Sequence, residues 1–371
     1  MERRKFLGTA AVGLTGAAAA ASSFPKPAIS QNMQEWRMVT SWPKGLPGVG
    51  SGAQRLADNI TRMTNGRITV RLFAAGELVP AFGGFDAVSQ GTVEMAHDAA
   101  YYHLGKSEGF AFYTGFPWGF TASELTAWIH HGGGQQLWDE LAAPFNIKAF
   151  IAGNTGTQMF GWFRKEIRTV DDLKGLKFRT PGNQARILTK LGATAINLPA
   201  GEVFAALQSG ALDGAEFTGP ANDLALGFYQ VAQYYYSPGF SEPGVALQLM
   251  VNKQKYEALP DDLKACVRIA AQQAHDDVLG EYMALNGPAL ETLVQRHNVQ
   301  LRSLPRDVLM ACGNAANEVL TELREGGDAM TKKIIDSYLD FRGKVSPWSR
   351  VAEFAYMQAR LLPFPHTGRR S

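Results

Sequence analysis

Alternating short strands and amphipathic helices set the strongest limit on the fold of this chain. Apolar residues recur at every second position in the segment 35–41 and at helical spacing in 48–64, which predicts a strand followed by a helix. The pattern continues, with strands predicted at 67–73, 93–97 and 147–152 and helices at 82–90 and 121–141. This β-α-β-α-β order predicts a largely parallel sheet covered by helices.

The second half of the chain repeats this alternation and then becomes almost entirely helical. Strands are predicted at 158–164, 176–179, 195–198, 215–218 and 246–252, and helices at 183–191 and 201–209. Later helices are predicted at 260–282, 288–296, 305–323, 329–342 and 346–360, with Pro347 at the start of the last. No linker rich in Pro, Gly or Ser separates the halves. The predicted fold class is therefore α/β with two lobes, crossing strands and a ligand cleft between the lobes.

The length of the chain suggests about two domains. Residues 31–157, with about 246–287, are predicted to form lobe I, and residues 158–245, with about 288–343, lobe II. Residues 344–371 are predicted to form a C-terminal helix and tail that is a candidate dimerisation element.

The N-terminus predicts export to the periplasm. Two adjacent arginines at 3–4 precede Phe6-Leu7 and a soft run of Ala and Gly over 8–21, which resembles a twin-arginine signal peptide spanning 1–30. The run is weaker than the roughly 20 strongly apolar residues that a membrane helix needs. Small residues predict cleavage between Ser30 and Gln31, with an earlier candidate within 17–21, and an uncleaved anchor is the alternative.

Charge and cysteine content exclude several classes of site. Residues 1–30 hold four basic side chains and one acidic one, so 32 of the 36 basic and 33 of the 34 acidic residues remain after cleavage. A formal charge of −1 gives no excess of positive charge with which to bind nucleic acid or an anionic membrane. Cys266 and Cys312 lack the spacing of a metal site. They could pair in an oxidising compartment, and buried free thiols are the simpler interpretation.

The usual enzyme signatures are missing from the sequence. It contains no G-x-x-x-x-G-K-[ST] phosphate loop and no G-x-S-x-G nucleophile elbow. His130 and His131 are adjacent on a predicted helix, so they point to different sides and cannot share a metal as an i, i+4 pair does. The three glycines that follow, 132–134, predict a bend or break in that helix.

Three polar segments hold the candidate binding chemistry. Arg179 ends a predicted strand before the Pro181-Gly182 turn, and its guanidinium suits a bidentate grip on a carboxylate. A surface arginine paired with an acid is the alternative. Gln158 ends a polar turn and Glu216 stands in an apolar strand, and their oxygens suit a hard cation such as Na⁺ or Ca²⁺. The alternative for Glu216 is a structural carboxylate bonded to backbone amides.

These segments, in this order, resemble the solute receptors of tripartite ATP-independent periplasmic (TRAP) transporters over nearly the whole mature chain. The family-like stretches are 169–179, 210–214 and 251–260. Within the family, 154–159 together with Glu216 is most similar to the α-keto acid and lactate receptors. The resemblance implies binding of a small monocarboxylate, either a 2-oxo acid such as pyruvate or a 2-hydroxy acid such as lactate, without catalysis.

The resemblance also implies roles for individual residues. Phe217 stands where the keto-acid receptors are expected to have Trp, and only its backbone would contact the metal. Glu242 matches an acidic contact although its flanking residues differ, and Tyr101 is preferred to Tyr102 as a hydroxyl donor. The implied substrate-binding residues are Arg179, Gln158, Tyr101, Asn154 and Glu242, and the implied metal ligands for Na⁺ or Ca²⁺ are Gln158, Glu216, Phe217 and Glu242.

The resemblance implies partners as well. TRAP receptors deliver their ligand to a small and a large membrane subunit. An apolar stripe on the last predicted helix, together with the helix exchange of α-keto acid receptors, implies a homodimer, unless that helix packs on its own chain. The alternatives are an exported carboxylate sensor, a receptor for another organic acid such as a C4 dicarboxylate, and an exported enzyme with a site built on Arg179 and Glu216.

Overall fold

The computed structural model describes residues 33–363 of the chain. The predicted signal peptide at 1–30 and its cleavage position lie outside the described residues, as does the segment after residue 363. Within the described range, no helix is both long and apolar enough to cross a membrane.

The strands and helices largely follow the predicted alternation. The strands are β1 Gln34–Thr40, β2 Ile68–Phe73, β3 Met95–Asp98, β4 Ile147–Asn154, β5 Gly161–Phe163, β6 Lys177–Arg179, β7 Thr194–Ile196, β8 Gly214–Ala215, β9 Tyr234–Ser237, β10 Ala246–Asn252 and β11 Gln300–Ser303. The α-helices are α1 Val49–Met63, α2 Gly84–Ser89, α3 Ala111–Thr114, α4 Ala122–His131, α5 Gly134–Ala142, α6 Gly182–Lys190, α7 Ala200–Ser209, α8 Pro220–Ala225, α9 Lys253–Glu257, α10 Asp261–His297, α11 Arg306–Gly326, α12 Ala329–Ser349 and α13 Ala355–Ala359. The predicted break at the three glycines is confirmed, because α4 ends at His131 and α5 begins at Gly134.

Two sheets organise the molecule, and they confirm the two-lobed α/β fold. The first lobe holds a five-stranded sheet of order β2-β1-β3-β10-β4, and the second a six-stranded sheet of order β11-β9-β5-β8-β6-β7. The expectation of a largely parallel sheet is confirmed except for one reversed strand in each sheet: in the described part of the chain, four of the five strands of the first sheet and five of the six strands of the second run in the same direction. Strand β10 runs antiparallel to β3 and β4, and β5 runs antiparallel to β8 and β9. Each is the first strand after the chain changes sheet through a short connection, without the helical crossover that parallel pairing requires.

Two of these connections lie side by side between the lobes. One is 155–160, which leads from β4 to β5, and the other is 238–245, which leads from β9 to β10. The backbone N–H of Thr155 donates to the carbonyl oxygen of Val245 at 2.9 Å. We call the two segments the crossing segments, and they support the candidate site.

The C-terminal helices depart from the predicted boundaries. The two helices predicted at 260–282 and 288–296 are one helix, α10, with Pro288 inside it. A proline removes one helical hydrogen bond, but α10 is packed on both sides of it, since Tyr282 and Leu293 are buried. Pro347 likewise lies inside α12 rather than at a helix start, and α12 continues through a π-helical turn, Arg350–Phe354, into α13.

Apolar packing ties these elements together. One face of the first sheet packs against α1 and α10 through Met38, Ile60 and Val267, which are fully buried. The other face is covered by α4, α5 and α12. The ring centroids of Phe120, just before α4, and Tyr338 in α12 are 4.1 Å apart. Cys266 in α10 and Cys312 in α11 are both free thiols, and only Cys312 is fully buried.

Candidate functional site

The crossing segments bring three of the predicted residues together. Asn154 is the last residue of β4, Gln158 lies in the first crossing segment and Glu242 in the second. The backbone N–H of Gln158 donates to the carbonyl oxygen of Glu242 at 3.1 Å. The Gln158 amide donates through Nε2 to Thr155 Oγ1 at 2.9 Å, which fixes the side chain and leaves Oε1 without a partner among the described residues.

Strand pairing places the other two charged residues next to each other. Arg179 ends β6 and Glu216 directly follows β8, and these two strands pair in parallel with Arg179 opposite Ala215. The backbone N–H of Glu216 donates to the carbonyl oxygen of Arg179 at 3.0 Å. Both side chains are buried, with 1% of Arg179 and none of Glu216 exposed. The alternative of a surface arginine is therefore excluded by the geometry.

The Arg179 guanidinium is held on one side and free on the other. Its Nε donates to the Leu198 carbonyl oxygen at 3.0 Å, and its Nη1 donates to the Glu216 carbonyl oxygen. Nη1 also lies 3.4 Å from Glu216 Oε2. Nη2 is buried without a protein partner in the described part of the chain. This nitrogen can therefore donate to an acceptor that the protein itself does not supply.

Unpartnered polar atoms concentrate at this place. Thirteen buried side-chain atoms of residues 33–363 lack a hydrogen-bond partner. Five of them belong to predicted site residues, namely Asn154 Nδ2, Gln158 Oε1, Arg179 Nη2, Glu216 Oε1 and Glu242 Oε2. A buried polar group without a partner costs about 1–3 kcal/mol. Five such atoms at one place indicate a binding site completed by a ligand.

Four more unpartnered atoms belong to residues that sequence reasoning missed. They are Asn183 Oδ1 and Nδ2, Gln184 Nε2 and Ser241 Oγ. Thr180 Oγ1 links this group to the site, because it donates to Gln184 Oε1 at 2.8 Å and lies 3.4 Å from Glu216 Oε2. The signal was available: two amide side chains directly follow the Pro181-Gly182 turn at the end of the strand that carries Arg179.

The two acidic side chains share a strongly perturbed environment. Burial raises the pKa of Glu216 well above its ordinary value, and the charge of Glu242 raises it further, against the opposing effect of Arg179. Burial is also the main cause of the raised pKa of Glu242. Neither carboxylate accepts a backbone amide, so the structural alternative for Glu216 finds no support among the hydrogen bonds of the described residues. Two buried carboxylates beside one arginine favour a bound cation.

The donor set fits a hard cation. The free atoms Gln158 Oε1, Glu216 Oε1 and Glu242 Oε2 are all oxygens, which calcium and sodium prefer. The described residues contain no group of three or more His, Cys, Asp or Glu side chains that could hold a metal alone. Amide and backbone oxygens would therefore have to complete the ligand set. Phe217, the next residue along, is buried, with its ring centroid 5.4 Å from the Arg179 guanidinium carbon.

Aromatic side chains form the wall of the site on the first lobe. Tyr101 lies in the 3₁₀ turn Ala100–His103 after β3 and is 7% exposed. Burial raises its pKa well above the ordinary value, and the charge of Glu242 raises it further. The ring centroids of Tyr101 and Tyr102 are 5.0 Å apart. A Cβ on Gly182, which has a φ of +66°, would lie 3.3 Å from the Tyr101 ring.

Comparison with known proteins gives consistent similarities. Residues 38–326 match the model of bacterial extracellular solute-binding protein family 7. A monocarboxylate 2-oxoacid-binding periplasmic protein from Nostoc sp. is 39% identical over 359 residues, which cover 96% of this chain and 98% of that protein.

Two solved structures are similar over the whole fold. A TRAP transporter solute-binding protein from Bordetella bronchiseptica is a mixed-occupancy dimer with calcium and picolinate in one site and an apo second site. It has a TM-score of 0.86 and 38% identity, and the match covers 88% of this chain and 97% of that one. A TRAP periplasmic solute-binding protein from Pseudoalteromonas atlantica, with bound sodium and pyruvate, has a TM-score of 0.85 and 38% identity, and covers 90% and 99%.

Proposed function

This chain belongs to bacterial extracellular solute-binding protein family 7, the receptors of TRAP transporters, and we propose that it binds a small 2-oxo acid such as pyruvate together with Ca²⁺ or Na⁺. Members of this family are periplasmic solute receptors and not enzymes. The observation that carries the proposal is the set of five unpartnered, buried polar atoms on Asn154, Gln158, Arg179, Glu216 and Glu242.

Arg179 is the proposed anchor of the ligand carboxylate. Its free Nη2 donates to one carboxylate oxygen, while Nε and Nη1 remain held by backbone carbonyls. Tyr101 and the free Nδ2 of Asn154 are the proposed donors to the remaining ligand oxygens. These contacts strengthen as the lobes close, because hydrogen bonds to a charged group are stronger where water is excluded.

Gln158, Glu216, Glu242 and the backbone carbonyl of Phe217 are the proposed cation ligands. A cation held by these residues would offset the negative charge of the two carboxylates and offer coordination positions to the oxygens of the ligand. The chain supplies only oxygens for this purpose, and the amide of Gln158 is already oriented by Thr155. A 2-hydroxy acid such as lactate offers a carboxylate and a neighbouring oxygen as a 2-oxo acid does, and we include it and longer 2-oxo acids in the proposed class.

Charge counts against a C4 dicarboxylate. Arg179 is the one fully buried lysine or arginine among the described residues. A second carboxylate in the closed site would find no second cationic side chain, and burying an unpaired charge is costly. The site therefore suits a single carboxylate.

The last helix carries the proposed dimer contact. Exposed apolar side chains follow one another from the end of α12 through the π-helical turn into α13, namely Trp348, Val351, Phe354, Tyr356 and Met357, each more than half exposed. Such a run of apolar surface is typical of a protein interface. The Bordetella bronchiseptica relative is a dimer. We propose a homodimer through this helix, and sedimentation of the full chain against Phe354→Glu would detect it as a loss of dimer.

Location and partners follow from the family. As a periplasmic receptor, the chain works with TRAP membrane subunits. We further propose a twin-arginine route of export through residues 1–30, and the lobe boundaries 31–157 with 246–287 and 158–245 with 288–343. The strands of the two sheets support these boundaries. Helix α12 is the exception, because it lies within the predicted 288–343 but packs on the first lobe, where the Tyr338 hydroxyl accepts from the backbone N–H of Phe120 at 3.0 Å.

Isothermal titration of the mature chain tests the ligand class. Pyruvate, lactate, a longer 2-oxo acid and succinate are titrated with Ca²⁺, with Na⁺, and in sodium-free buffer after chelation of divalent ions. We expect heat from pyruvate in the presence of a cation, weaker binding without one, and none from succinate. Succinate binding tighter than pyruvate would overturn the proposed ligand class, and unchanged pyruvate affinity after removal of both cations would overturn the cation.

A further inference from the structure

Asn222 joins the two lobes through hydrogen bonds of its own side chain. It lies in the first turn of α8, which follows β8 in the second lobe, and it is fully buried. Its Nδ2 donates to the carbonyl oxygen of Pro47 at 2.7 Å, and its Oδ1 accepts from the Tyr282 hydroxyl at 2.6 Å. We call these three residues the Asn222 bridge.

Pro47 and Tyr282 belong to the first lobe. Pro47 lies in the loop between β1 and α1, and Tyr282 lies on α10 beside it. The Tyr282 hydroxyl also reaches the Pro47 carbonyl oxygen, at 3.2 Å. A Cβ on Gly48 would lie 2.3 Å from the Tyr282 ring, so only glycine allows this approach. Glu281 fixes the same corner by accepting from the backbone N–H of Gly48 at 3.0 Å.

Within the second lobe, Asn222 is bonded to the segment that carries the candidate cation ligands. Asn222 Oδ1 also accepts from Thr218 Oγ1 at 2.6 Å. Thr218 directly follows Phe217, and its carbonyl oxygen accepts the backbone N–H of Met159 at 3.1 Å. The residue before Met159 is Gln158. One buried amide therefore contacts the first lobe on one side and the 216–218 segment on the other.

We propose that Asn222 is a positioning residue that couples closure of the lobes to the placement of the Glu216–Phe217 segment and so slows release of the ligand. The inference rests on the proposed function, because it assumes a small carboxylate bound with a cation. Opening the cleft separates Pro47 and Tyr282 from Asn222, while the bond to Thr218 stays within the second lobe. The bridge therefore adds stability to the closed, ligand-bound form only.

Dissociation kinetics separate this role from a purely structural one. Asn222→Ala removes the bridge, and Asn222→Asp keeps the acceptor for Tyr282 but loses the donor to Pro47. The matched control is Tyr113→Phe, which removes a buried hydroxyl bonded to the Gly134 carbonyl oxygen at 3.1 Å, wholly inside the first lobe. Each protein is loaded with pyruvate and Ca²⁺, and ligand release is followed by stopped-flow tryptophan fluorescence, with thermal melting of the ligand-free form alongside.

We expect both Asn222 variants to release pyruvate about tenfold faster, with a nearly unchanged association rate. The ligand-free melting temperature should stay near that of the wild type for Asn222→Asp, which keeps the acceptor for Thr218, and fall slightly for Asn222→Ala, which loses it. Tyr113→Phe should lower the melting temperature of the ligand-free protein and leave release at the wild-type rate. Asn222 variants that melt early without ligand, yet release pyruvate at the wild-type rate, would overturn the inference. Failure of the wild type to bind pyruvate with either cation would instead overturn the proposed function, and the inference with it, before any variant is compared.

Discussion

Arg179 and Glu216 lie side by side on paired parallel strands, and Arg179 Nη1 reaches both the carbonyl oxygen and, at 3.4 Å, the Oε2 of Glu216. The pair satisfies only part of each side chain, because Arg179 Nη2 and Glu216 Oε1 have no partner among the described residues. A pair built for stability alone would use all of these atoms. The arrangement instead leaves one donor for an anion and one acceptor for a cation.

Arg179→Lys tests the anion side. Lysine keeps the positive charge but lacks the planar fork, so it cannot hold the two backbone carbonyls and a ligand carboxylate at the same time. We expect the Kd for pyruvate to rise about 10–100-fold at saturating Ca²⁺, which is the loss of one hydrogen bond to a charged group. Calorimetric titration measures it. The control is Arg302→Lys. Arg302 lies on the edge strand β11 and pairs with Glu166, and this variant should bind pyruvate as the wild type does.

Glu216→Gln tests the cation side. The substitution preserves the shape of the side chain and removes one of the two carboxylates, so calcium loses much of its electrostatic attraction. We expect the Kd for Ca²⁺ to rise about 100-fold, and pyruvate binding to lose its dependence on Ca²⁺. Calcium titrations with and without pyruvate measure both effects. Wild-type calcium affinity in this variant would remove Glu216 from the ligand set, whereas Glu166→Gln should leave it unchanged.

Acid stability depends on a different carboxylate, Glu94. Burial alone would raise its pKa, but hydrogen bonds from Arg37 and Lys255 lower it to about 2. Because the folded pKa lies below the unfolded one, Glu94 adds stability above about pH 4.5, and this contribution is lost as the pH falls towards 2. Both basic partners are partly exposed, so we expect Glu94→Gln to cost only about 1–2 kcal/mol at pH 7.

Urea unfolding of wild type and Glu94→Gln at several pH values measures this contribution. The difference in unfolding free energy should shrink steadily between pH 5 and pH 2. A difference that stays constant over this range would contradict the assignment. The exposed Glu291 provides the control, and Glu291→Gln should match the wild type at every pH.

Local sequence pattern predicts most of the strands and helices but not how strands pair after the chain crosses from one lobe to the other. The sequence predicts β10 with its observed boundaries, because a run of mostly apolar residues is visible without knowing its neighbours. The antiparallel direction of β10, and the strands β9 and β11, depend on partners distant in the chain, which no local pattern contains. Pro288 and Pro347 predict helix boundaries, but both lie inside helices. Packing on both sides outweighs the local cost of Pro288, whereas the helix continues past Pro347 although the residues that follow are largely exposed.

The candidate site shows the same division. Arg179, Gln158, Glu216 and Glu242 stand out in the sequence by residue type and by resemblance, and the fold brings them together. Asn183 and Ser241 did not stand out, because amides and hydroxyls are common at helix starts and in loops. Only burial without a partner distinguishes them. Their contribution depends on how the chain closes around the site, and sequence pattern does not contain that information.

The closeness of the crossing segments leads to a last prediction, at Gly239. A Cβ at this position would lie 2.2 Å from the backbone carbonyl oxygen of Gln158 and 2.6 Å from its carbonyl carbon. Backbone cannot move aside as a flexible side chain can, so Gly239→Ala must push the two crossing segments apart. We expect a loss of about 2–3 kcal/mol in unfolding free energy and weaker Ca²⁺ binding, because Gln158 and Glu242 lie on the displaced segments.

Gly280→Ala is the matched control. Gly280 lies inside α10 with open space around its Cβ position. Alanine there should stabilise the protein by about 0.5–1 kcal/mol, since glycine is the poorer helix former. Urea unfolding and calcium titration of both variants provide the comparison. Equal stability of the two variants, or normal calcium affinity in a destabilised Gly239→Ala protein, would show that the spacing of the crossing segments does not set the geometry of the site.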